Sequence, residues 1–362
     1  MTIGVLVIPV AVSGLVSFYL TPCVRRWACA SGILDRPGPR KIHRTAMPRA
    51  GGLAVYSAWV AGIIGAIMLE GRWYSPHLFQ AVEVGALVVL WGLWDDCRDL
   101  PGWTKLLGQV VIASVVFVMG IRIDRLSNPF SGSLVFPWPF NYLVTVLWII
   151  GMMNAMNLID GLDGLACGVS TICALGLMAS GWYVGGHTAV VVLAALAGAC
   201  LGFLRYNFSP ATIFLGDSGS QFLGFVFAMA ALLDEPYKSA TAMALLIPLT
   251  TLSVPVVDVA LAMFRRFRGR RSIFRADKYH LHHRLLKIGL SQRQVVLSLY
   301  LISMYLSGLA FLFVLITERY AVVLLALLAI GLAMAMQTLR FIEFTLRRSS
   351  RRRTRAGLTS RL

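Results

Sequence analysis

Asn154-Ala-Met-Asn-Leu-Ile-Asp-Gly-Leu-Asp-Gly164 is the stretch that decides how this chain is interpreted, because it places two amides and two carboxylates at the end of an apolar run. The apolar run covers residues 140–158 and is long enough to cross a bilayer core. A carboxylate at that depth is costly unless a positive charge meets it. The stretch therefore predicts a cation close to these carboxylates.

The spacing of the four polar side chains argues against one regular helix as their frame. Steps of three residues rotate by about 300° on an α-helix, so the row drifts by about half a turn in all. We predict that the helix unwinds at the glycines behind the two acids and brings the carboxylates round. The alternative is a helix end followed by a turn, with Asn and Asp chosen for capping. Capping needs one such residue, whereas the row has four: Asn154, Asn157, Asp160 and Asp163.

The composition is typical of a membrane protein. The chain has 362 residues, of which 58% are hydrophobic and 14% charged, and its mean hydropathy is +0.75. The net charge of +17 comes from basic residues between apolar runs, which indicates orientation in a membrane and no nucleic-acid partner. The six cysteines form no CxxC pair, so neither a disulfide framework nor a zinc site is predicted.

We predict an all-α polytopic integral membrane protein with about eleven transmembrane helices. The spans are residues 4–22, 51–69, 78–94, 106–121, 140–158, 164–181, 187–204, 219–234, 239–264, 294–316 and 320–340. Polar or basic loops follow the odd-numbered spans, so the positive-inside rule places the N-terminus outside and the C-terminus in the cytoplasm. Residues 1–346 then form one transmembrane domain and residues 347–362 a basic, disordered tail, with cytoplasmic loops at 23–50, 95–105, 159–164, 205–218 and 265–293.

The first cytoplasmic loop is basic and ends in the pair Gly51-Gly52. Backbone amides at a glycine-rich helix start, supported by the lysine and arginines of the loop, would form a phosphate site. An orientation signal followed by an ordinary helix start explains the segment equally well.

Two further loops carry acids beside a predicted span. Asp95-Asp96-Cys-Arg-Asp99 closes the third span, with Lys105 close behind, and such a cluster suits a divalent ion on a diphosphate or a general base. A solvated acidic loop is the alternative. Asp217 stands in Gly-Asp-Ser-Gly at the start of the eighth span, where it could cap the helix or bind a metal.

The ninth span holds Asp258, and a strongly basic loop with three histidines follows it. Those histidines cannot all converge from one helix, and no cysteine is near, so zinc is less favoured than binding of phosphate oxygens or a nucleotide. A basic helix on the membrane surface is the alternative. The residues concerned are Arg265, Arg271, His280, His282, His283 and Arg284.

Taken together, these motifs resemble the polyprenyl-phosphate N-acetylhexosamine-1-phosphate transferases over residues 41–291. The resemblance rests on Asp-Asp-x-x-Asp, Asn-x-x-Asn-x-x-Asp-Gly-x-Asp-Gly, Gly-Asp-Ser-Gly-Ser, Pro-x-x-Asp and the histidine loop. It implies a membrane enzyme that moves a sugar 1-phosphate from a UDP-sugar to a lipid phosphate and releases UMP, with Mg²⁺ or alternatively Mn²⁺. The histidine loop is similar to the branch that uses UDP-N-acetylglucosamine and undecaprenyl phosphate at the bacterial inner membrane.

The resemblance also implies roles for individual residues. Asp217 would bind Mg²⁺ with Asn157 beside it, and Asp95 and Asp96 would lie nearest the lipid phosphate, with Asp95 as candidate base. Asp160 and Asp163 would shape the metal and uridine side, and we group these two with Asp95 and Asp96 as the catalytic acids. The residues expected to bind substrate are Lys41, His43, Asp99, Lys105, Asn154, Asp258, Arg265, Arg271, His280, His282, His283 and Arg284.

Other functions compete with this interpretation. A relative that transfers phospho-N-acetylmuramoyl-pentapeptide is one alternative, although its run of His followed by Phe-Glu is absent here. Intramembrane acids also mark ion pathways in transporters, but here they crowd one membrane face. A scaffold that binds anionic lipid through its basic tail is a third. The sequence leaves open the sugar, the downstream glycan, a one-step or two-step mechanism, and a homodimer.

Overall fold

The structure of the protein, a computed structural model, describes residues 4–37, 45–70, 76–127, 133–234, 285–286 and 289–315. Within these ranges the regular secondary structure is helical apart from two antiparallel pairs of short strands. Strand β1 (Leu34–Asp35) pairs with β2 (Met47–Pro48), and β3 (Arg125–Ser127) pairs with β4 (Ser133–Val135). The helices are α1 (Gly4–Ala30), α2 (Gly51–Glu70), α3 (Pro76–Arg98), α4 (Gly102–Val118), α5 (Phe140–Ile159), α6 (Leu165–Val184), α7 (His187–Asn207), α8 (Gly216–Ala230) and α9 (Gln292–Leu315).

The helices confirm the multi-pass, all-α class. Within the described residues, seven of them are long and apolar enough to cross a membrane, namely α1, α2, α3, α5, α6, α7 and α9. Helices α4 and α8, with 17 and 15 residues, overlap two further predicted spans but are shorter than those seven helices. The predicted spans 239–264 and 320–340 and the tail at 347–362 lie outside the described residues. The total of eleven spans and the orientation therefore stay predictions.

Several helices extend beyond the ends predicted from hydropathy. Helix α1 continues to Ala30 instead of residue 22, and α3 continues to Arg98 instead of residue 94. Hydropathy marks the thickness of the hydrocarbon core, whereas a helix can carry polar residues on a last turn that reaches the interface. As a result, Asp95 and Asp96 lie on the last turns of α3 and not in a loop.

Helix α7 forms the centre of the bundle. It is buried from Thr188 to Cys200, and it packs against α1, α2 and α6. A Cβ atom on Gly198 would lie 2.2 Å from the Val10 carbonyl oxygen, and one on Gly202 would lie 2.3 Å from the Gly14 carbonyl oxygen. Small residues four apart allow two membrane helices to approach this closely.

Helix α8 begins in a space enclosed by α2 and α3. A Cβ atom on Gly52 would lie 2.2 Å from the Gly219 nitrogen, and one on Gly92 would lie 2.4 Å from the Ser218 Cα. The amide of Gly52 donates to the Leu215 carbonyl at 2.9 Å, and Gly51 makes the equivalent bond to the preceding carbonyl at 3.1 Å. The hypothesis that this glycine pair binds phosphate through its amides is therefore wrong, because both amides already have partners.

Candidate active site

One end of the bundle gathers the polar residues of the site. The C-terminal ends of α3, α5 and α7 and the N-terminal ends of α4 and α8 meet there, around a cleft of about 630 Å³. Acids from four different parts of the chain line this cleft. Its polar lining includes Asp35, Arg49, Asp96, Asn157, Asp160, Asp163, Asn207 and Asp217.

Asp217 faces the cleft from the first turn of α8. Its side chain is 22% exposed, and its Oδ2 atom lies 2.9 Å from the Lys105 Nζ atom. Its Oδ1 atom accepts a short hydrogen bond from the Asn157 amide, which also donates to the Ser220 hydroxyl at 2.9 Å. The predicted neighbours Asn157, Lys105 and Asp217, from three different helices, are thus brought together.

Lys105 also pairs with Asp95, behind Asp217 as seen from the cleft. The Lys105 Nζ atom lies 2.6 Å from the Asp95 Oδ2 atom, while Oδ1 accepts from the Leu100 amide at 2.9 Å. The Asp95 side chain is fully buried, and the lysine is 28% exposed. One ammonium group therefore holds a carboxylate of α3 and a carboxylate of α8 at the same point.

The neighbouring acid, Asp96, has a different environment. Its Oδ1 atom accepts from the Asp217 amide at 2.8 Å, and its Oδ2 atom accepts from the Ser218 amide at 3.1 Å and the Ser218 hydroxyl at 2.7 Å. A carboxylate that caps a helix N-terminus in this way accepts hydrogen bonds from amides that have no partner within the helix. Its negative charge also interacts favourably with the helix dipole. Asp96 thereby fixes the start of α8, and its predicted catalytic role stays a prediction.

The row of amides and acids in the opening stretch breaks where it was predicted to break. Helix α5 ends at Ile159, and Gly164 has a φ of 78° at the start of α6. The four side chains nevertheless do not converge on one point. Asn154 points away from the cleft, and the Asp163 Oδ2 atom accepts from the Ala211 amide at 3.0 Å. Asn157, Asp160 and Asp163 all line the cleft, and of these Asn157 is hydrogen-bonded to Asp217.

Among the described residues that line the cleft, the acids outnumber the basic side chains. Burial, reinforced by the nearby carboxylates of Asp217, Asp96 and Asp163, raises the pKa of Asp160 well above its ordinary value. A cation entering the cleft would relieve this repulsion and favour the ionised form of Asp160. Asp160 thus gives the cleft an electrostatic preference for a positive charge.

Arg49 is an organising residue that sequence reasoning did not single out. Its Nε atom donates to the Asp96 backbone carbonyl at 2.7 Å, and its Nη2 atom donates to the Asp99 carboxylate at 2.6 Å. Its Nη1 atom lies 3.6 Å from an Asp35 carboxylate oxygen. The guanidinium group therefore neutralises the C-terminal end of α3 and holds Asp99, whose φ of 49° is unusual for a residue with a side chain.

Many predicted substrate-binding residues lie outside the described part of the chain, and their roles stay predictions. Asp99 and Lys105 lie at the site, and Asn154 lies one turn deeper. The residues outside the described ranges are Lys41, His43, Asp258, Arg265, Arg271, His280, His282, His283 and Arg284.

The described residues contain no group of three or more His, Cys, Asp or Glu side chains close enough to hold a metal ion together. Magnesium does not require such a group, because it is usually held by one or two carboxylates together with substrate phosphates and water. Asp217 offers one carboxylate to the cleft, and the neighbouring Asn157 side chain, whose Nδ2 atom donates to Asp217, carries an amide oxygen that could act as a second metal ligand. This donor set fits a magnesium ion that arrives with a phosphate ligand.

Fold and site define a multi-pass membrane protein with an acidic cleft at the ends of its helices. The profile of the family described as Glycosyl transferase family 4 matches residues 78–234, which include Asp95, Lys105, Asn157 and Asp217. Three relatives from different bacteria extend the similarity over most of the chain.

The probable undecaprenyl-phosphate N-acetylglucosaminyl 1-phosphate transferase of Bacillus subtilis (strain 168) is 40% identical over 305 residues, which cover 83% of each chain. The decaprenyl-phosphate N-acetylglucosaminephosphotransferase of Mycobacterium tuberculosis (strain ATCC 25618 / H37Rv) is 38% identical, over 80% of this chain and 78% of the relative. The undecaprenyl-phosphate alpha-N-acetylglucosaminyl 1-phosphate transferase of Salmonella typhi is 29% identical, over 96% and 98%. The chain belongs to the family of polyprenyl-phosphate N-acetylhexosamine-1-phosphate transferases, as the motifs predicted.

Proposed function

We propose that the protein transfers N-acetylglucosamine 1-phosphate from UDP-N-acetylglucosamine to undecaprenyl phosphate and releases UMP. A phosphate oxygen of the lipid attacks the phosphorus that carries the sugar, and the bond to the UMP phosphate breaks. The product is a lipid-linked diphosphate sugar, which opens the synthesis of a cell-envelope glycan such as O-antigen, common antigen or teichoic acid. The names of the three relatives support this choice of donor and acceptor.

The observation that carries the proposal is the shared position of Asp95, Lys105 and Asp217. Two anionic substrates repel each other strongly, and this repulsion must be offset before a new bond can form. Lys105 is a fixed cation 2.9 Å from Asp217, which faces the cleft. A substrate phosphate next to Asp217 would therefore lie within reach of the lysine, which could transfer its ion pair from the carboxylate to the phosphate.

We propose that Asp217 holds Mg²⁺, or Mn²⁺ in its place, with Asn157 next to it. A divalent ion bound there supplies positive charge that neutralises the diphosphate and favours departure of UMP. The charge excess around Asp160 supports a cation at this place. Because protons compete with the cation for these carboxylates, apparent metal affinity should rise with pH as Asp160 loses its proton.

We propose single displacement, with Asp95 as an orienting residue and a candidate base. The second pKa of a phosphate monoester is near 6, so the lipid phosphate is mostly dianionic at neutral pH and needs little help from a base. Asp95 is buried and pairs with Lys105 at 2.6 Å, an arrangement suited to aiming the ammonium group at the acceptor phosphate.

We place the cleft on the cytoplasmic face of the bacterial inner membrane. All helix ends at the cleft adjoin segments that the positive-inside rule assigns to the cytoplasm. UDP-sugars are water-soluble, and the lipid phosphate arrives in the membrane plane. A cleft at the ends of the helices is reachable by both.

The test is a transfer assay with purified protein, undecaprenyl phosphate, Mg²⁺ and a panel of UDP-sugars, scored by UMP release. We expect UMP with UDP-N-acetylglucosamine, dependence on the divalent ion, and no UMP when the lipid is omitted. Release only with the UDP-N-acetylmuramoyl-pentapeptide would support the alternative transferase. No UMP with any donor would contradict the proposed function and favour a transporter, which flux through proteoliposomes would reveal.

A further inference from the structure

A second layer of polar side chains lies directly beneath the charged residues of the site. Lys105 on α4, Asn157 on α5 and Asp217 on α8 contact one another at the cleft. One helical turn deeper, the same faces of these three helices carry amides, four residues after the lysine, three before the asparagine and four after the aspartate. These residues, Gln109, Asn154 and Gln221, are called the amide layer below.

The members of the amide layer are joined in a chain that crosses all three helices. The Asn154 Nδ2 atom donates to the Gln109 Oε1 atom at 2.7 Å. The Gln109 Nε2 atom donates to the Gln221 Oε1 atom at 3.1 Å. The two glutamines are 2% and 1% exposed, so these bonds are shielded from water. Each amide is thus held by a partner on a different helix.

Below the amide layer the side chains that follow the two glutamines on their helices are apolar. Ala113 and Phe225, each one turn deeper than a glutamine, are fully buried. A Cβ atom on Gly224 of α8 would lie 2.3 Å from the Met152 carbonyl oxygen of α5, so the two backbones are in close contact. The polarity around the two glutamines therefore falls turn by turn, from charges to amides to hydrocarbon, although α4 and α5 make one further polar contact between Ser114 and Tyr142.

Apolar side chains could also fill these buried positions, so the presence of amides there requires an explanation. A buried amide is costly unless its hydrogen bonds are made, and helix contacts made only of apolar side chains tolerate sliding and rotation. Hydrogen bonds are directional, and a single buried polar residue is enough to specify register between paired helices. The amide layer supplies such a constraint next to the site, where register matters most.

We infer that the amide layer fixes the register of α4, α5 and α8 and thereby holds Lys105 and Asn157 on Asp217. Gln109 and Gln221 are then positioning residues for the transfer reaction, an inference that rests on the proposed function. A displacement of about 1 Å at a reacting group can lower turnover by roughly a hundredfold. A larger displacement would break the 2.9 Å contact between Lys105 and Asp217.

The variants Gln109→Met and Gln221→Met remove the amides and keep the length of the side chains. We expect kcat to fall by roughly ten- to a hundredfold, with the KM for UDP-N-acetylglucosamine changed less than about threefold. The double variant should lose little more than the worse single variant, because both belong to one chain of hydrogen bonds. The double variant also replaces both linked amides together, which keeps the test open if a single variant fails to fold.

Tyr142→Phe is the matched control. The Tyr142 hydroxyl lies 2.9 Å from the Ser114 hydroxyl, so it too forms a hydrogen bond between α4 and α5, but away from the charged layer. A general loss of helix packing would affect this variant as much as the glutamine variants. We expect it to keep wild-type kcat within about twofold, because hydrogen bonds between membrane helices contribute modestly to stability.

A second readout does not depend on catalysis. Spin labels at Leu107 on α4 and Leu147 on α5, which are 55% and 59% exposed, would report the distance between these helices. They would be attached through a keto-bearing amino acid, since the chain has six cysteines of its own. We expect a broader distance distribution in Gln109→Met than in Tyr142→Phe.

The outcomes separate the two proposals. If the wild-type protein releases no UMP, the proposed function fails, and the label distances alone decide whether the amide layer sets register. If the wild type is active and both methionine variants match Tyr142→Phe in kcat, the inference is overturned. A distance distribution that is the same in Gln109→Met and Tyr142→Phe overturns it whatever the activity.

Discussion

The acids at the two ends of the helical bundle have different tasks. At the end opposite the cleft, the Asp124 carboxylate pairs with Arg122 at 2.9 Å and accepts from Asn141 at 3.0 Å. Asp234 there accepts from the Thr188 and Ala189 amides and caps α7. These acids complete one helix end or one turn each.

At the cleft end, by contrast, carboxylates from different helices lie together and share cations. Lys105 pairs with both Asp95 and Asp217, and burial beside other acids raises the pKa of Asp160. An acid with a full set of local partners has no electrostatic demand left, whereas acids that share one lysine still favour a further cation. The comparison indicates that the cleft end, and not acidity as such, carries the chemistry.

The strongest test of this difference is to remove one carboxylate at each end of the helical bundle. Asp217→Asn keeps the shape of the side chain but removes the carboxylate, so we expect activity to fall by about 10²- to 10³-fold and the response to Mg²⁺ to weaken. Asp234→Asn should keep activity within about twofold, because it retains one of the two oxygens that cap α7 and lies at the end opposite the cleft. The measurement is UMP release against Mg²⁺ concentration. Similar losses in the two variants would contradict the assignment of the chemistry to one end.

Asp95→Asn separates orientation from binding within the cleft end. Asparagine cannot form the ion pair with Lys105, so we expect kcat to fall by roughly a hundredfold while the KM for the UDP-sugar changes little. Steady-state kinetics with both substrates varied would check this. A raised KM at unchanged kcat would instead assign Asp95 to donor binding.

Asp96 tests the structural part of the cleft end. Asp96→Ala leaves the Asp217 amide and both Ser218 donors without their acceptor in a buried place, so we expect a loss of about 1–3 kcal/mol in the free energy of unfolding. Asp124→Ala, at the other end, removes a half-exposed ion pair and one acceptor of the Asn141 amide, so it should cost less than Asp96→Ala, which leaves three donors unpaired. Unfolding in detergent micelles would compare the two. Equal losses would show that Asp96 is not the anchor of α8.

Arg49→Lys should have the smallest effect of the four changes. A lysine can reach one acceptor but cannot contact the Asp96 carbonyl, Asp99 and Asp35 at once. We expect roughly a fivefold loss of activity, from a less firmly held end of α3. Arg122→Lys at the opposite end is the control and should be silent in the same assay. If Arg49→Lys is silent too, the guanidinium fork is not needed to hold α3.

The sequence predicted the class of the fold and most of the described site. Long apolar runs can be recognised without tertiary information because the bilayer fixes their length. The helix break behind Ile159 was predicted from two glycines next to two acids, and Asn157, Lys105 and Asp217 were all expected at the site. The predicted helix ends were less accurate, because hydropathy decreases before the helix ends, as it does in α3.

The glycine pair at the start of α2 shows where local reasoning failed. In the sequence, Gly51-Gly52 has the pattern of an anion site, but in the folded chain both amides bond to the segment before α8. Glycine at a helix start permits either close packing or ligand approach, and only the neighbouring backbone decides which occurs. Gln109 and Gln221 were overlooked for a related reason, because single amides inside an apolar run give no signal until their partners are known.

The sequence by itself determined that this is a membrane transferase with acids at the ends of its helices, because hydropathy and motif spacing are properties of short segments. Only the tertiary structure decided that Asp95 pairs with Lys105 while its neighbour Asp96 caps α8. Successive side chains on a helix point about 100° apart, so adjacent acids meet different helices. Helix α4 follows α3 directly in the chain, whereas α8 begins more than a hundred positions further on, and its place beside Asp96 follows from packing that no local pattern records.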